Sequence, residues 1–397
     1  MPARPPDGGA DQASRDDTTL YQTQIRVHLA NIVANLRTVR ERVGPDRQIL
    51  FAVKADGYGH GAVDVARAAV AAGVADWLGV ATVPEGLELR EAGIDAPILK
   101  LSATFGPDVC GEMVVAVRAD IALVVCDRDG IETLQQVCAG RGLSARVHLK
   151  VDTGMGRIGC PPGEAPALAG FIERDCPALS LDGLMTHLPV SDVPDQDEFT
   201  AAQIARFAAC CSHVEQALGR SVPAHCANSG GILGHPDSWL DMVRPGIMAY
   251  GSYPDPTTPH TVELLPGLSW VTRVSFVKKV AAGTSVSYGR TWVAPRDTVI
   301  ATLPVGYGDG YDRHLSNAGH VLLGGRRVPI VGRVCMDQLM VDAGTDASVA
   351  AGDRVVLIGR DGTETISAED MAIELGTIPY EVTCRISHRV PRIHVLG

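Results

Sequence analysis

Lys54 closes an apolar run, Leu50-Phe51-Ala52-Val53, and opens a glycine-rich stretch, Ala55-Asp56-Gly57-Tyr58-Gly59-His60-Gly61. A run without polar interruption suits a strand buried on both faces, as in a parallel sheet. From Ala62 onward the spacing is helical, so the lysine falls at a strand-to-helix corner. An amine there can form a Schiff base with an aldehyde if desolvation or a nearby cation keeps part of it unprotonated. The other reading is a lysine that snorkels from a loop. Its company weighs against that: Arg157 in "DTGMGRIG", His187 after "LDGLMT", Asn228 and Ser229 in "ANSGG", and Arg244, Gly246 and Ile247 in "VRPGI". Arginines, a hydroxyl and accessible backbone N–H groups suit an anionic, phosphorylated ligand.

The elements that must position these residues can be counted. Short apolar runs occur at Leu50-Val53, Trp77-Val80, Ile98-Leu101, Ile121-Val125, Val147-Val151, Leu181-Met185, Ala224-Ala227 and Met242-Val243, with helical patterns between them. One such pattern, "EFTAAQIARFAACCSHVEQALG", places Ile204, Phe207, Cys211 and Val214 on one face. Eight strand–helix alternations over this span are the arithmetic of a (β/α)8 TIM barrel. Each candidate residue then follows a strand, at the barrel end where active sites lie. The loops after the last two strands, the usual phosphate site of such barrels, carry Ser229 and Gly246-Ile247. A phosphorylated aldehyde beside a lysine describes pyridoxal phosphate.

Ahead of the barrel, "TQIRVHL" alternates like a strand and "ANIVANLRTVRERVG" reads as a helix; beyond Gly267, short alternating runs between Gly and Asp turns read as a β-rich domain. The expected organisation is a disordered tail over 1–20, the barrel over 21–260 and a C-terminal β domain over 261–397, more than one core for a chain of 397 residues. The net charge of -11, without a local basic patch, excludes nucleic acid and anionic membrane surfaces as partners. No apolar run is long enough to span a bilayer, and the first residues lack the apolar core of a secretory signal. Ten cysteines without a C-x-x-C pair read as reduced cytoplasmic thiols, and no metal site is expected. "GMGRIG" runs into Cys160-Pro161-Pro162 rather than a helix, which argues against a dinucleotide site, and Asp309 in "GYGDGY" reads as turn chemistry.

The segments "AVKADGYGHG", "LKVDTGMGRIG", "ANSGG", "VRPGIMAYG", "VSYGRTW", "PVGYGDGY" and "GRVCMDQLMVD" together resemble the motifs of the alanine racemase family, in family order. The resemblance implies a fold-type III pyridoxal phosphate enzyme that acts as a head-to-tail homodimer with shared sites. It would interconvert L-alanine and D-alanine and supply D-alanine for peptidoglycan. It implies that Lys54 carries the cofactor, that Tyr58, Ser229, Gly246, Ile247 and Tyr380 hold its phosphate, and that Arg244 faces its pyridine nitrogen. Lys54 and Tyr288 of the other subunit would be the two bases, with His187 as the cationic or hydrogen-bonding neighbour of Tyr288. Arg157 and the Met336 N–H would bind the substrate carboxylate and Tyr307 would line the entrance, with Asn228, Cys335 and Asp337 in support. Lys150 would carry a carbamate that holds Arg157; pairing with an ordinary carboxylate such as Asp152 is the alternative. A broader racemase that also accepts serine, and a non-catalytic pyridoxal phosphate-binding protein, are the rival functions. A related decarboxylase should have a carboxylate in place of Arg244.

Overall fold

A computed structural model describes residues 21–104, 108–345 and 348–395; the expected tail over 1–20 lies outside them. Strands β2 (Gln48–Ala52), β3 (Trp77–Val80), β4 (Ile98–Ala103), β5 (Ile121–Val125), β6 (Ala145–Lys150), β7 (Leu179–Met185), β8 (Ala224–His225) and β9 (Met242–Val243) form one eight-stranded sheet. Its order is β8-β7-β6-β5-β4-β3-β2-β9, with parallel pairing throughout. β8 and β9, at the two ends of that order, are bridged by Asp241 N–H to Ala224 O at 3.1 Å and Arg244 N–H to Ala227 O at 2.9 Å. This is the TIM-like barrel expected from the alternation.

Strand alternation sorts the side chains into two layers. Leu50, Trp77, Leu99, Ala122, Val124, Met185 and Met242 pack together inside the barrel. Ile49, Phe51, Leu78 and Leu123 instead join the cluster shared with the surrounding helices, each fully buried side chain contributing about 1.5–3 kcal/mol. The helix Asp197–Leu218 ends at Gly219 in the left-handed conformation, as a C-terminal cap requires. Its buried face carries Ile204, Phe207 and Val214 as expected, but Cys210 takes the fully buried place and Cys211 is only half-buried. Thr200 and Gln203 share that face, so its direction is set by more than the apolar residues. Among the described residues no helix is long and apolar enough to cross a membrane.

The C-terminal part is β-rich, and the chain's first strand belongs to it. β1 (Gln24–His28) pairs antiparallel with Leu268–Arg273 and parallel with Arg392–Val395, in a seven-stranded sheet. The N-terminal segment is therefore tied into the C-terminal sheet before the barrel begins. The helix Ala368–Leu375 starts with the expected capping box, Ser367 and Asp370 bonding reciprocally to each other's backbone N–H.

The stretch after Lys54 is more specific than a glycine turn. Ala55, Asp56, Gly57 and Tyr58 all lie near φ 53–59° and ψ 37–50°, which is one turn of left-handed helix. For the three residues with a Cβ this costs about 1–2 kcal/mol each. The surroundings hold the turn in place. Glu85 accepts the Ala55 N–H at 2.8 Å, Asp56 accepts the Ala62 N–H at 2.9 Å, and His60 Nδ1 donates to Gly57 O and Tyr58 O at 3.1 and 3.0 Å. The C-terminal part closes over it: Arg392 Nε donates to Gly59 O at 3.1 Å and His394 Nε2 to His60 O at 2.8 Å. At Gly59 a Cβ would lie 2.3 Å from the Thr383 carbonyl oxygen, so only glycine fits. Ala55 is exposed, and Ala55→Gly keeps its hydrogen bond while removing the steric penalty. Denaturant titration is expected to show the variant more stable by about 1 kcal/mol. Equal or lower stability would mean that the turn stores no strain at this residue.

Candidate active site

The cleft at the carboxyl ends of the barrel strands has a volume of about 130 Å³ and is lined by Lys54, Tyr58, Lys150, Arg157, His187, Asn228, Ser229, Arg244, Gly246 and Tyr380 among others. Among the described residues no aspartate or glutamate lines it. Lys54 enters from the left-handed turn; burial, then the charges of Arg157 and Arg244, lower its pKa against the opposing pull of Glu85. Lys150, at the end of β6 and buried, is pushed down to about 7 by burial first and then by Arg244 and Arg157. Both amines are thereby made available in the neutral, nucleophilic form. Asp152 attracts Lys150 through its charge, but its hydrogen bonds go to the loop: the carboxylate accepts the Gly154 N–H at 2.9 Å and the Gly156 N–H at 3.0–3.1 Å, which shapes the loop that presents Arg157.

Opposite the lysines, Ser229 Oγ accepts the N–H groups of Gly246 at 3.1 Å and Met248 at 3.4 Å, joining the loops after β8 and β9. Asn228 caps the short helix that begins at Ser229, accepting from Ser191 Oγ and Gly231 N–H and donating to Leu188 O, so it places the serine. A Cβ at Gly246 would lie 2.6 Å from Tyr58 Oη, and the glycine leaves that phenol its place over the loop. Tyr250, which the sequence did not single out, stacks on Tyr58 with ring centroids 4.9 Å apart and donates to Ala52 O at 3.0 Å. Tyr380 meets the other side of Tyr58 at 5.8 Å.

Arg244 is buried and held on its two Nη nitrogens. Its Nη1 donates to His225 Nδ1 at 2.9 Å; its Nη2 donates to Thr186 O at 2.8 Å and Cys226 O at 3.1 Å, and lies 3.3 Å from His187 Nδ1. Burial and then the charges of Arg244, Lys150, Arg157 and Lys54 hold His187 far below the ordinary histidine range. Of the two expected roles, cationic or hydrogen-bonding, this favours the second, with His187 acting through hydrogen bonds of a neutral imidazole. His225 and His148, both inside the barrel, were not foreseen. The available signal was parity, since His148 stands two residues before Lys150 on one face of β6.

Tyr288, Tyr307, Cys335, Met336 and Asp337 do not join this cleft. They line a separate open depression on the C-terminal part, where Tyr288 is 73% and Met336 53% exposed. The depression is rigidly built. Tyr307 N–H donates to Cys335 O at 3.0 Å and Gly308 N–H to Met336 O at 2.8 Å. Asp337 pairs with Arg389 at 2.9 Å, and Arg389 pairs with the buried Asp309 at 2.8 Å. Asp309 also accepts from Tyr21 Oη and the Gly306 N–H, the turn role expected of it. Ser287, just before Tyr288, has φ 68° and ψ 179°, a region reserved for glycine, and its hydroxyl donates to Arg333 O at 2.6 Å.

A barrel with a desolvated lysine after one strand, a serine–glycine cradle after the last two, and a β domain buttressing the lysine defines a class of two-domain barrel enzymes. Within it the assignment is direct: the family models "alanine racemase, N-terminal domain" and "alanine racemase, C-terminal domain" match residues 27–254 and 267–394. The chain belongs to the alanine racemase family. It is 50% identical over 369 residues to the alanine racemase of Cutibacterium acnes, covering 93% of this chain and 96% of that one. It is 43% identical over 369 residues to that of Chlorobaculum tepidum, with 93% and 94% covered. Among solved structures, alanine racemase from Streptomyces coelicolor superposes with a TM-score of 0.87 at 39% identity, covering 95% of this chain and 98% of that one. The Bartonella henselae alanine racemase with covalently bound pyridoxal phosphate superposes with a TM-score of 0.83 at 28% identity, covering 94% and 99%.

The buried histidines make the fold acid-sensitive in a defined window. Burial lowers His60 to about 4 and His148 to about 3 from 6.5. Because the folded values lie below the unfolded one, the unfolded chain binds more protons between them, and stability is lost as pH falls from 6.5 toward those values. Each group contributes about 1.4 kcal/mol per pH unit. Thermal unfolding of the holoenzyme is expected at steeply lower temperature by about pH 5, where most carboxylates are still ionised. A profile that stays flat down to that pH would show these imidazoles to be charged in the fold.

Proposed function

We infer that this chain is a pyridoxal phosphate-dependent alanine racemase that interconverts L-alanine and D-alanine and supplies D-alanine for peptidoglycan. The observation that carries the reading is the cleft itself, where Lys54, Lys150, Arg157 and Arg244 converge with no carboxylate among the described residues lining it. Such a cleft fits a ligand that brings its own anions. Ser229 Oγ, the N–H groups of Gly246 and Ile247, and the hydroxyls of Tyr58 and Tyr380 would hold the phosphate, in a cradle that a Cβ at Gly246 would obstruct. Bound there through Lys54, pyridoxal phosphate supplies an electron-withdrawing ring that acidifies the Cα–H of an attached amino acid.

The chain's residues then have separable tasks. Arg157 binds the substrate carboxylate together with the Met336 N–H. Arg244 faces the pyridine nitrogen as a donor that does not deprotonate, so that nitrogen keeps its lone pair and the ring stays a moderate electron sink. Returning the proton to Cα is then favoured over side reactions. Lys54 moves the proton on one face and Tyr288 on the other. Since Tyr288 is exposed in a depression apart from the cleft, it serves the site of a second copy, with Tyr307 at the entrance and Cys335 and Asp337 shaping the loop. This makes a head-to-tail homodimer with shared sites the working unit. His187 accepts from Arg244 on Nδ1, which leaves its Nε2–H to donate to the Tyr288 oxygen and favour the phenolate. Ten free cysteines support a reducing, cytoplasmic setting.

Lys150, with its amine at about 7, is set to add CO2: the nitrogen lone pair forms an N–C bond, one proton leaves, and a carbamate anion faces Arg157 and Arg244. With Asp152 committed to the loop backbone, this is the better answer to the crowded cations. Holoenzyme in 13C-bicarbonate is expected to give a carbamate carbon resonance that Lys150→Ala removes. A resonance that survives this substitution, or none in the unsubstituted enzyme, would remove the carbamate.

The decisive test is racemisation of L-alanine and L-serine followed by chiral chromatography. D-Alanine is expected to form rapidly and D-serine slowly; Lys54→Ala should lose the visible cofactor absorbance and the activity together. Arg244→Glu should lower racemisation by about a hundredfold while raising side reactions. A bound cofactor without turnover would point to a carrier protein, and unchanged rates in Arg244→Glu would sink the role given to that arginine.

A further inference from the structure

Behind Arg244, a line of hydrogen bonds runs into the barrel core and stops at a histidine with nothing beyond it. Arg244 Nη1 meets His225 Nδ1 at 2.9 Å, and His225 Nε2 meets His148 Nδ1 at 2.8 Å, the two imidazoles standing edge to face at 5.0 Å and 78°. His148 Nε2 is buried and among the described residues has no hydrogen-bond partner, and the ring stands edge to face with Trp77, centroids 5.5 Å apart.

The chemistry of the donors settles every proton in this line. A guanidinium can only donate, so His225 Nδ1 must accept and its proton resides on Nε2. That N–H donates to His148 Nδ1, and the proton of His148 is left on Nε2, the orphaned atom. A buried unpaired N–H costs about 1–3 kcal/mol and calls for an explanation. Gly183 shows that the ring's place is built. It sits opposite His148 on the neighbouring strand, and a Cβ there would come within 2.3 Å of His148 Nδ1 and 2.6 Å of Cε1. The backbone of Gly183 is not in the left-handed region, so the glycine serves to make room.

We propose that His148 is a positioning residue for Arg244: by accepting from His225 it fixes the His225 tautomer that can receive the guanidinium, and Gly183 is the notch that admits it. Without an acceptor at His148, the proton of His225 is free to move to Nδ1, where it meets the Arg244 N–H groups donor to donor. The guanidinium then loses one of its four fixed partners and its register with the cleft. This proposal rests on the reading above that Arg244 faces the pyridine nitrogen.

The test is the 15N resonance of holoenzyme reconstituted with cofactor labelled at the pyridine nitrogen, read beside kinetics. His148→Leu and Gly183→Ala are expected to shift and broaden that resonance and to lower kcat roughly tenfold, with KM changed by less than about twofold. His148→Asn, whose Oδ1 can stand near the place of Nδ1, is expected to restore both most of the way. Should His148→Leu fail to fold, Gly183→Ala against unsubstituted enzyme decides, since it displaces the ring without removing it. An unmoved resonance in these variants, where Arg244→Gln does move it, overturns the role of His148 and leaves that of Arg244 standing. A resonance unmoved by Arg244→Gln overturns both. If His148→Asn behaves like His148→Leu, the ring is packing and the tautomer argument is wrong.

Discussion

Four basic side chains, Lys54, Lys150, Arg157 and Arg244, share the mouth of one barrel, and among the described residues no aspartate or glutamate lines it. Like charges held close together repel, and a fold can relieve this by discharging some of them or by receiving anions. The structure does the first for the groups able to lose a proton: the amines of Lys54 and Lys150 are lowered, and His187 and His225 are held neutral. The arginines cannot follow, so their charge persists. On the function proposed above, a phosphate and a substrate carboxylate would answer it from outside and a carbamate on Lys150 from within. The reactivity of the lysines and the affinity for an anionic cofactor thus share one electrostatic cause.

Holding such a cluster requires rigid supports, and these come from both parts of the chain. The left-handed turn after Lys54 costs energy at Ala55, Asp56 and Tyr58, yet it is bonded on one side by Glu85 and His60 and on the other by Arg392 and His394. The β-rich part is therefore a buttress for the lysine as well as the carrier of Tyr288. β1, paired with Leu268–Arg273 and Arg392–Val395, locks the two parts together at the chain's start.

Much of this was legible in the sequence because barrel geometry turns strand ends into site positions. Lys54, Arg157, His187, Ser229, Arg244 and Gly246 each follow an apolar run, and the structure brings them into one cleft. What stayed hidden depended on contacts rather than order. The hand of the turn after Lys54 could not be read from "ADGYG", because three of its left-handed residues have a Cβ and are held there by distant partners. The charge of His187 is set by burial first and then by basic groups that approach it only in space. His148, His225 and Gly183 stand inside strands, where a histidine reads as an interruption and a glycine as a weakness; only the register of β6 on β7 shows that one makes room for the other. The exchange of Cys210 for Cys211 reflects a helix face shared with Thr200 and Gln203, which apolar spacing alone does not weigh.

The geometry of Tyr288 argues that the site is completed from outside the chain. A phenol that is 73% exposed contributes nothing to the core beneath it, yet Ser287 before it is held in a backbone region that only glycine adopts without penalty. Its hydroxyl is bonded to Arg333, and Gly332 leaves it room, since a Cβ there would come within 2.6 Å of the Ser287 Cβ. Strain of this kind persists only where the surroundings over-determine it, and here they fix a side chain that its own cleft does not reach. The same loop cluster presents the Met336 backbone and Tyr307 to solvent. In the homodimer proposed above, a two-fold axis would bring the exposed Tyr288 of each copy to the cationic cleft of the other.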